Sequence, residues 1–171
     1  MAVTEPPPPD TNWPRYSRLP FPSYRYVPGQ TPHPRRHPEG HSYGQPDPKP
    51  TMPSTEHWQE SDAYLHGIDL YNFAYWWESH EIFEGVWHAA GRETTPGNFF
   101  QALIHLAAAN LKHYLSNLTA TRNLIHSGIT RLQRVPASYM GVNVADLIVA
   151  LENRQIDTHP PAPLISLDIT R

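Results

Sequence analysis

The sequence contains no cysteine. A disulfide framework, a thiolate zinc site and a cysteine nucleophile are therefore excluded, and any metal would have to be held by histidines and carboxylates. Long apolar runs are also missing. No stretch approaches the ~18 residues that a membrane span needs, and the beginning MAVTEPPPPD has neither the basic region nor the apolar core of a signal peptide. The chain thus reads as a soluble cytoplasmic protein with no membrane partner. An excess of positive charge is lacking too. The net charge is −3, which argues against a strongly basic nucleic-acid binder. There is no phosphate loop, no dinucleotide fingerprint and no glycine-flanked nucleophilic serine. The run Asn117, Leu118, Thr119 matches a glycosylation acceptor but reads better as a helix cap.

What is abundant is proline and histidine, 20 and 11 in 171 residues, a length that suits a single domain. Fifteen of the prolines fall in residues 1–53, a stretch of charge +2, whereas residues 54–171 carry −5. Proline removes backbone donors and pushes the preceding residue to extended geometry, so residues 1–53 should form an extended arm, with polyproline II at Pro6 to Pro9. Within it His33, His37 and His41 recur every four residues, but the intervening prolines forbid the helix that would align them. They could ligate a metal or lie in a groove-packed arm. The arm's tyrosines and arginines are expected to pack back on the acidic body rather than to stack on RNA, because +2 supplies little phosphate affinity.

Residues 54–157 read as a helical domain and 158–171 as an extended tail. Ser54 or Thr55 can cap a helical region that reaches about Ala90 and is divided by a turn near Asn72 to Ala74. Tyr64, Ile68, Tyr71 and Tyr75 keep the spacing of one buried helical face. A third helix, apolar around more than half its circumference, should run from about Gly97 to Ser116. A fourth spans about Thr119 to Arg134, and a fifth follows Asn143. Five helices and no paired strands predict an all-α, compact five-helix array.

On the second helix, at about 100° per residue, His80 and Glu84 border the apolar arc formed by Tyr75, Trp76, Ile82, Phe83, Val86 and Trp87. Glu78, Glu81 and Gly85 fall on the polar side. On the third helix Gln101 and His105 form another i, i+4 pair, and Asn110 projects among leucines, so it should be buried with partners. Packed antiparallel, the two helices would let His80, Glu84, Gln101 and His105 face each other. One reading is a divalent-metal or small-molecule site, with His80 and Glu84 as ligands, His105 or Gln101 opposite, and Glu81 as a base for metal-assisted hydrolysis. The motif is similar in outline to a zincin helix, except that Glu84 stands where the second histidine would be. The other reading is a hydrogen-bond network that fixes a helix crossing, in a non-enzymatic module that docks a protein partner through the arm or a tryptophan-rich face, with homo-oligomerisation open. The tryptophans fit core or helix packing better than a ligand cage. His57, His66, His88, His113, His126 and His159 read as surface residues.

The segment Leu70 to Trp87, LYNFAYWWESHEIFEGVW, resembles the signature of the Domain of Unknown Function 309 family of bacteria and archaea, and Phe100 to Ala108, FQALIHLAA, is similar to its second signature. The likeness covers about Ser61 to Val135. It implies a compact all-helical fold and carries Glu78, His80, Glu81, Glu84, Trp87 and Gln101 over as motif positions, but it implies no activity. Ala74 stands where glycine is expected, and His105 where glutamine or an apolar residue is common.

Overall fold

The computed structural model describes residues 5–155 and 158–169. Five helices make up the body: α1 Asp62–Asn72, α2 Trp76–Ala90, α3 Thr95–Tyr114, α4 Leu118–Leu132 and α5 Val144–Asn153. Four of them start at a side chain that accepts an otherwise orphaned amide. Ser61 takes Tyr64 N, Thr94 takes Gly97 N, Asn117 takes Ala120 N and Asn143 takes Asp146 N, at 3.0–3.2 Å. Pro96 sits in the first turn of α3, where its missing N–H costs nothing.

Helix α1 begins at Asp62 rather than near Ser54, as the sequence suggested. The Thr55 hydroxyl pairs with the Tyr139 hydroxyl at 3.3 Å, and Trp58 is buried within a single 3-10 turn, Trp58–Glu60. A Cβ on Gly141 would lie 2.5 Å from the Trp58 ring, so this indole packs on bare backbone. Gly141 belongs to the second departure from expectation. Two short strands, β1 Ser138–Tyr139 and β2 Val142–Asn143, pair antiparallel. Both turn residues between them, Met140 and Gly141, have positive φ, the combination that a tight two-residue hairpin needs. Met-Gly is a weak sequence signal for such a turn, which is why the hairpin escaped the pattern.

The α1–α2 junction shows what Ala74 does. Tyr75 N donates to Leu70 O and Ala74 N to Tyr71 O, the paired bonds that close a helix C-terminus, with Ala74 left-handed at φ 68°. The turn expected near Asn72 to Ala74 therefore forms with alanine in a glycine position. The α3–α4 junction repeats the device, with Ser116 at φ 62° and bonds from Asn117 N to Lys112 O and from Ser116 N to His113 O.

Helix α3 is central, packing against both α2 and α4. Phe99, Phe100, Leu103 and Leu106 are fully buried and meet Tyr64 and Phe83 across the interfaces. Gly67 of α1 lets the Phe83 ring approach to 2.6 Å of where a Cβ would stand, so α1 and α2 cross closely there. Among the described residues no helix is long and apolar enough to cross a membrane.

Ser116 is exposed, so its left-handed backbone is strained with no packing in compensation. Ser116→Gly should raise stability by about 0.5–1 kcal/mol, read as an increased urea midpoint at unchanged m value.

Candidate functional site

Residues 5–57 contain no helix or strand, yet they are held by particular side chains of the helical body. Asp69 is the first. It is the only carboxylate between Asp62 and Glu78, is fully buried, and accepts Arg15 Nε at 2.8 Å, Tyr16 N at 2.8 Å and Ser17 N at 2.9 Å. Glu78 is the second. Its Oε1 accepts Tyr26 N at 2.7 Å and faces His41 Nε2 at 3.1 Å. Arg25 lies 4.2 Å over the Tyr75 ring and donates to Phe73 O, just past the C-terminus of α1. Pro48 and Pro50 cross α2 at Gly85, where a Cβ would come within 2.8 Å of Pro48 O and 2.7 Å of Pro50 Cδ.

These contacts correct the helical projection. Glu78 and Gly85 fall on the polar side of α2 but are not left to solvent, because the N-terminal segment covers that side; Glu78 is only 5% exposed. The C-terminal segment is held in the same way. Asn72 exchanges two 2.8 Å bonds with the backbone of Ile165, Asn110 accepts Ala162 N at 2.9 Å, and the Tyr71 hydroxyl donates to Pro163 O. Asn110 is thus buried with a partner. Asp69 and Asn72 were missed by sequence reasoning, although a lone carboxylate in the otherwise uncharged stretch 63–77 is a signal for the former.

The histidines of the N-terminal segment do not converge. His33 Nδ1 accepts the amides of Arg35 and Arg36 while its ring packs on Tyr26 and Trp77, and His37 Nδ1 accepts Glu39 N. Of the histidines expected at the surface, His57, His88, His126 and His159 are exposed. His66 is half-buried and stacks near Phe21, and His113 and His159 face each other at 3.3 Å between their Nδ1 atoms.

On α2, His80 Nδ1 lies 3.9 Å from Glu81 Oε1 and His80 Nε2 lies 3.5 Å from Glu84 Oε2, while His88 reaches the other Glu84 oxygen at 3.7 Å. Donor atoms of His80, Glu81 and Glu84 all lie within 4.8 Å of one another, the one such group of three among the described residues. His80 Nδ1 is buried without a hydrogen-bond partner. Burial pushes His80 below its ordinary value against the pull of Glu84, which keeps the imidazole neutral and able to donate a lone pair. Glu81 moves up, first through burial and then through Glu84 and Asp47. His105 on α3 is held down first by burial and then by the charge of Arg131. Gln101 is half-buried, and among the described residues no hydrogen bond joins Gln101 or His105 to His80 or Glu84. Trp87 is half-buried, with Arg92 5.3 Å over its ring.

Asp69→Ala would leave a guanidinium and two amides without their acceptor, at a cost of about 2–4 kcal/mol, and should expose residues near Arg15 to limited proteolysis. A pH dependence follows from His66, which burial holds below the ordinary 6.5. Below that value the unfolded chain takes up a proton that the folded ring resists. Stability should therefore fall as pH drops from about 7.5 to 5.5, and His66→Phe should reduce, without abolishing, the slope of the urea midpoint across that window, since burial lowers His80 and His105 too.

The family model described as "Domain of unknown function (DUF309)" matches residues 64–124, the stretch from the first turn of α1 into α4 that contains every α2 and α3 residue discussed above. No curated protein matches the chain. Over residues 64–124 the chain is thus similar to the DUF309 family.

Proposed function

We propose that the protein binds a divalent metal ion at His80, Glu81 and Glu84, within a helical domain over residues 54–157 that is flanked by an arm, 1–53, and a tail, 158–171. The observation that carries this reading is the convergence of one imidazole and two carboxylates on two turns of α2, with a buried imidazole nitrogen left unpartnered. One nitrogen and two oxygens suit a borderline or hard ion such as Zn²⁺ or Mn²⁺. Glu81 belongs either to the ligand set or, with its proton affinity raised by burial and by neighbouring carboxylates, to the chemistry as a base for metal-assisted hydrolysis. His105, on the facing helix α3, is the candidate for a fourth ligand.

An interaction module draws less support. Two features it would use are engaged within the chain: Tyr26 and His33 pack on Trp77, and Trp76 is buried.

Zn²⁺ or Mn²⁺ added to untagged, metal-stripped protein should raise its stability, by about 2.7 kcal/mol at a hundred times Kd. His80→Ala and Glu84→Gln should abolish the gain. A melting temperature that ignores both chelator and added metal overturns the reading.

A further inference from the structure

Beside the metal group, and sharing Glu81 with it, a cleft of about 160 Å³ lies between the N-terminal segment and the helices α1 and α2. Glu78 and His66 form part of its wall, Leu70 and Ile82 supply apolar surface, and Arg35 and His41 reach it from the N-terminal segment. Three buried polar atoms of the lining residues have no hydrogen-bond partner: Glu78 Oε2, His66 Nδ1 and Arg35 Nε, of which the last is ion-paired with Asp47 at 3.2 Å, and Glu78 is 5% exposed. Buried polar atoms in folded proteins nearly always have partners, and a carboxylate oxygen only accepts, so the orphaned Glu78 Oε2 points to an occupant that donates hydrogen bonds. The charge around the cleft specifies more. Arg35 is committed to Asp47 and to the carbonyls of Gln45 and Pro46. Against that one guanidinium stand Glu78 and Glu81 in the lining and Asp47 paired to it. An additional anion would be repelled, and a neutral donor would leave this excess uncompensated.

We infer that the cleft binds a small organic cation, a primary ammonium on a short apolar chain, with its N–H groups donated to Glu78 Oε2 and its chain against Leu70 and Ile82. A cavity near 150 Å³ accommodates a guest of about six heavy atoms, so the ligand is of the size of butylammonium. Because Arg35 and His41 come from the N-terminal segment, the cleft is complete only while that segment is docked on α2.

Isothermal titration of the full chain in EDTA, with n-butylammonium chloride as the probe, tests this apart from any bound metal. Saturable binding is expected for n-butylammonium and not for 1-butanol or butyrate. Glu78→Gln should weaken it by about tenfold or more. Since Glu78 also anchors the N-terminal segment, Ile82→Phe provides the second variant: it narrows the cleft, leaves Glu78 in place and should weaken binding to a similar degree. The inference is overturned by the absence of saturable n-butylammonium binding, by equal affinity for 1-butanol, or by binding that survives both substitutions. A crystal structure showing only ordered water in the cleft at saturating n-butylammonium would overturn it as well.

Discussion

Two proline-interrupted segments without helix or strand satisfy their backbone only in part through their own turns, and the molecule depends on buried side chains of α1, α2 and α3 for the remainder. Asp69 and Glu78 receive amides from the N-terminal segment, and Asn72 and Asn110 receive or exchange bonds with the C-terminal one. Each of these four is buried, and each would be costly in an apolar core without such partners. The helices and the segments are therefore mutually dependent. The segments cannot satisfy their backbone without the helices, and the helices would hold unpaired carboxylates and amides without the segments. The two segments also meet each other, since the Tyr16 hydroxyl accepts Leu167 N and Trp13 Nε1 donates to Ile165 O.

This arrangement shapes the chemistry of α2. Its apolar side faces α1 and α3, and its polar side is divided between two fates. Glu78 and Gly85 lie under the N-terminal segment, whereas His80, Glu81 and Glu84 remain half-buried at its edge. Partial burial is what keeps His80 neutral and raises Glu81, the two properties that suit a ligand and a proton acceptor. Full exposure would have left both groups near their ordinary values, and complete burial would have required partners such as those Glu78 has. The same covering encloses the cleft on the far side of Glu81, so a single docked segment defines both candidate sites.

Much of the fold was legible because its signals are local. Caps at Asn117 and Asn143, the breakers between α2 and α3, and the apolar stripe through Tyr64, Ile68 and Tyr71 act over a few residues and need no knowledge of the remainder of the chain. The start of α1 and the small hairpin were not legible, because both are decided by Trp58 packing on Gly141, residues 83 positions apart. Of the candidate site, the i, i+4 spacing alone brought out His80 and Glu84, and Asn110 announced its burial by its place among leucines. Glu78 was misplaced on an outer face because a helical projection of α2 contains no information about which other segment will cover it.

The sequence by itself determined that this is a mostly helical protein without thiol chemistry, that the proline-rich residues 5–57 form no helix or strand, and that an imidazole and a carboxylate share one helical edge. Those properties follow from residue type and from spacing along one element. Only the tertiary structure decided that the proline-rich segment lies across α2, that Asp69 and Glu78 are spent on anchoring it, and that Glu81 joins His80 and Glu84 while Gln101 stands apart. The reason is physical: the burial and hydrogen-bond partners of a polar side chain are properties of contacts between distant segments, and no period within a single helix encodes them.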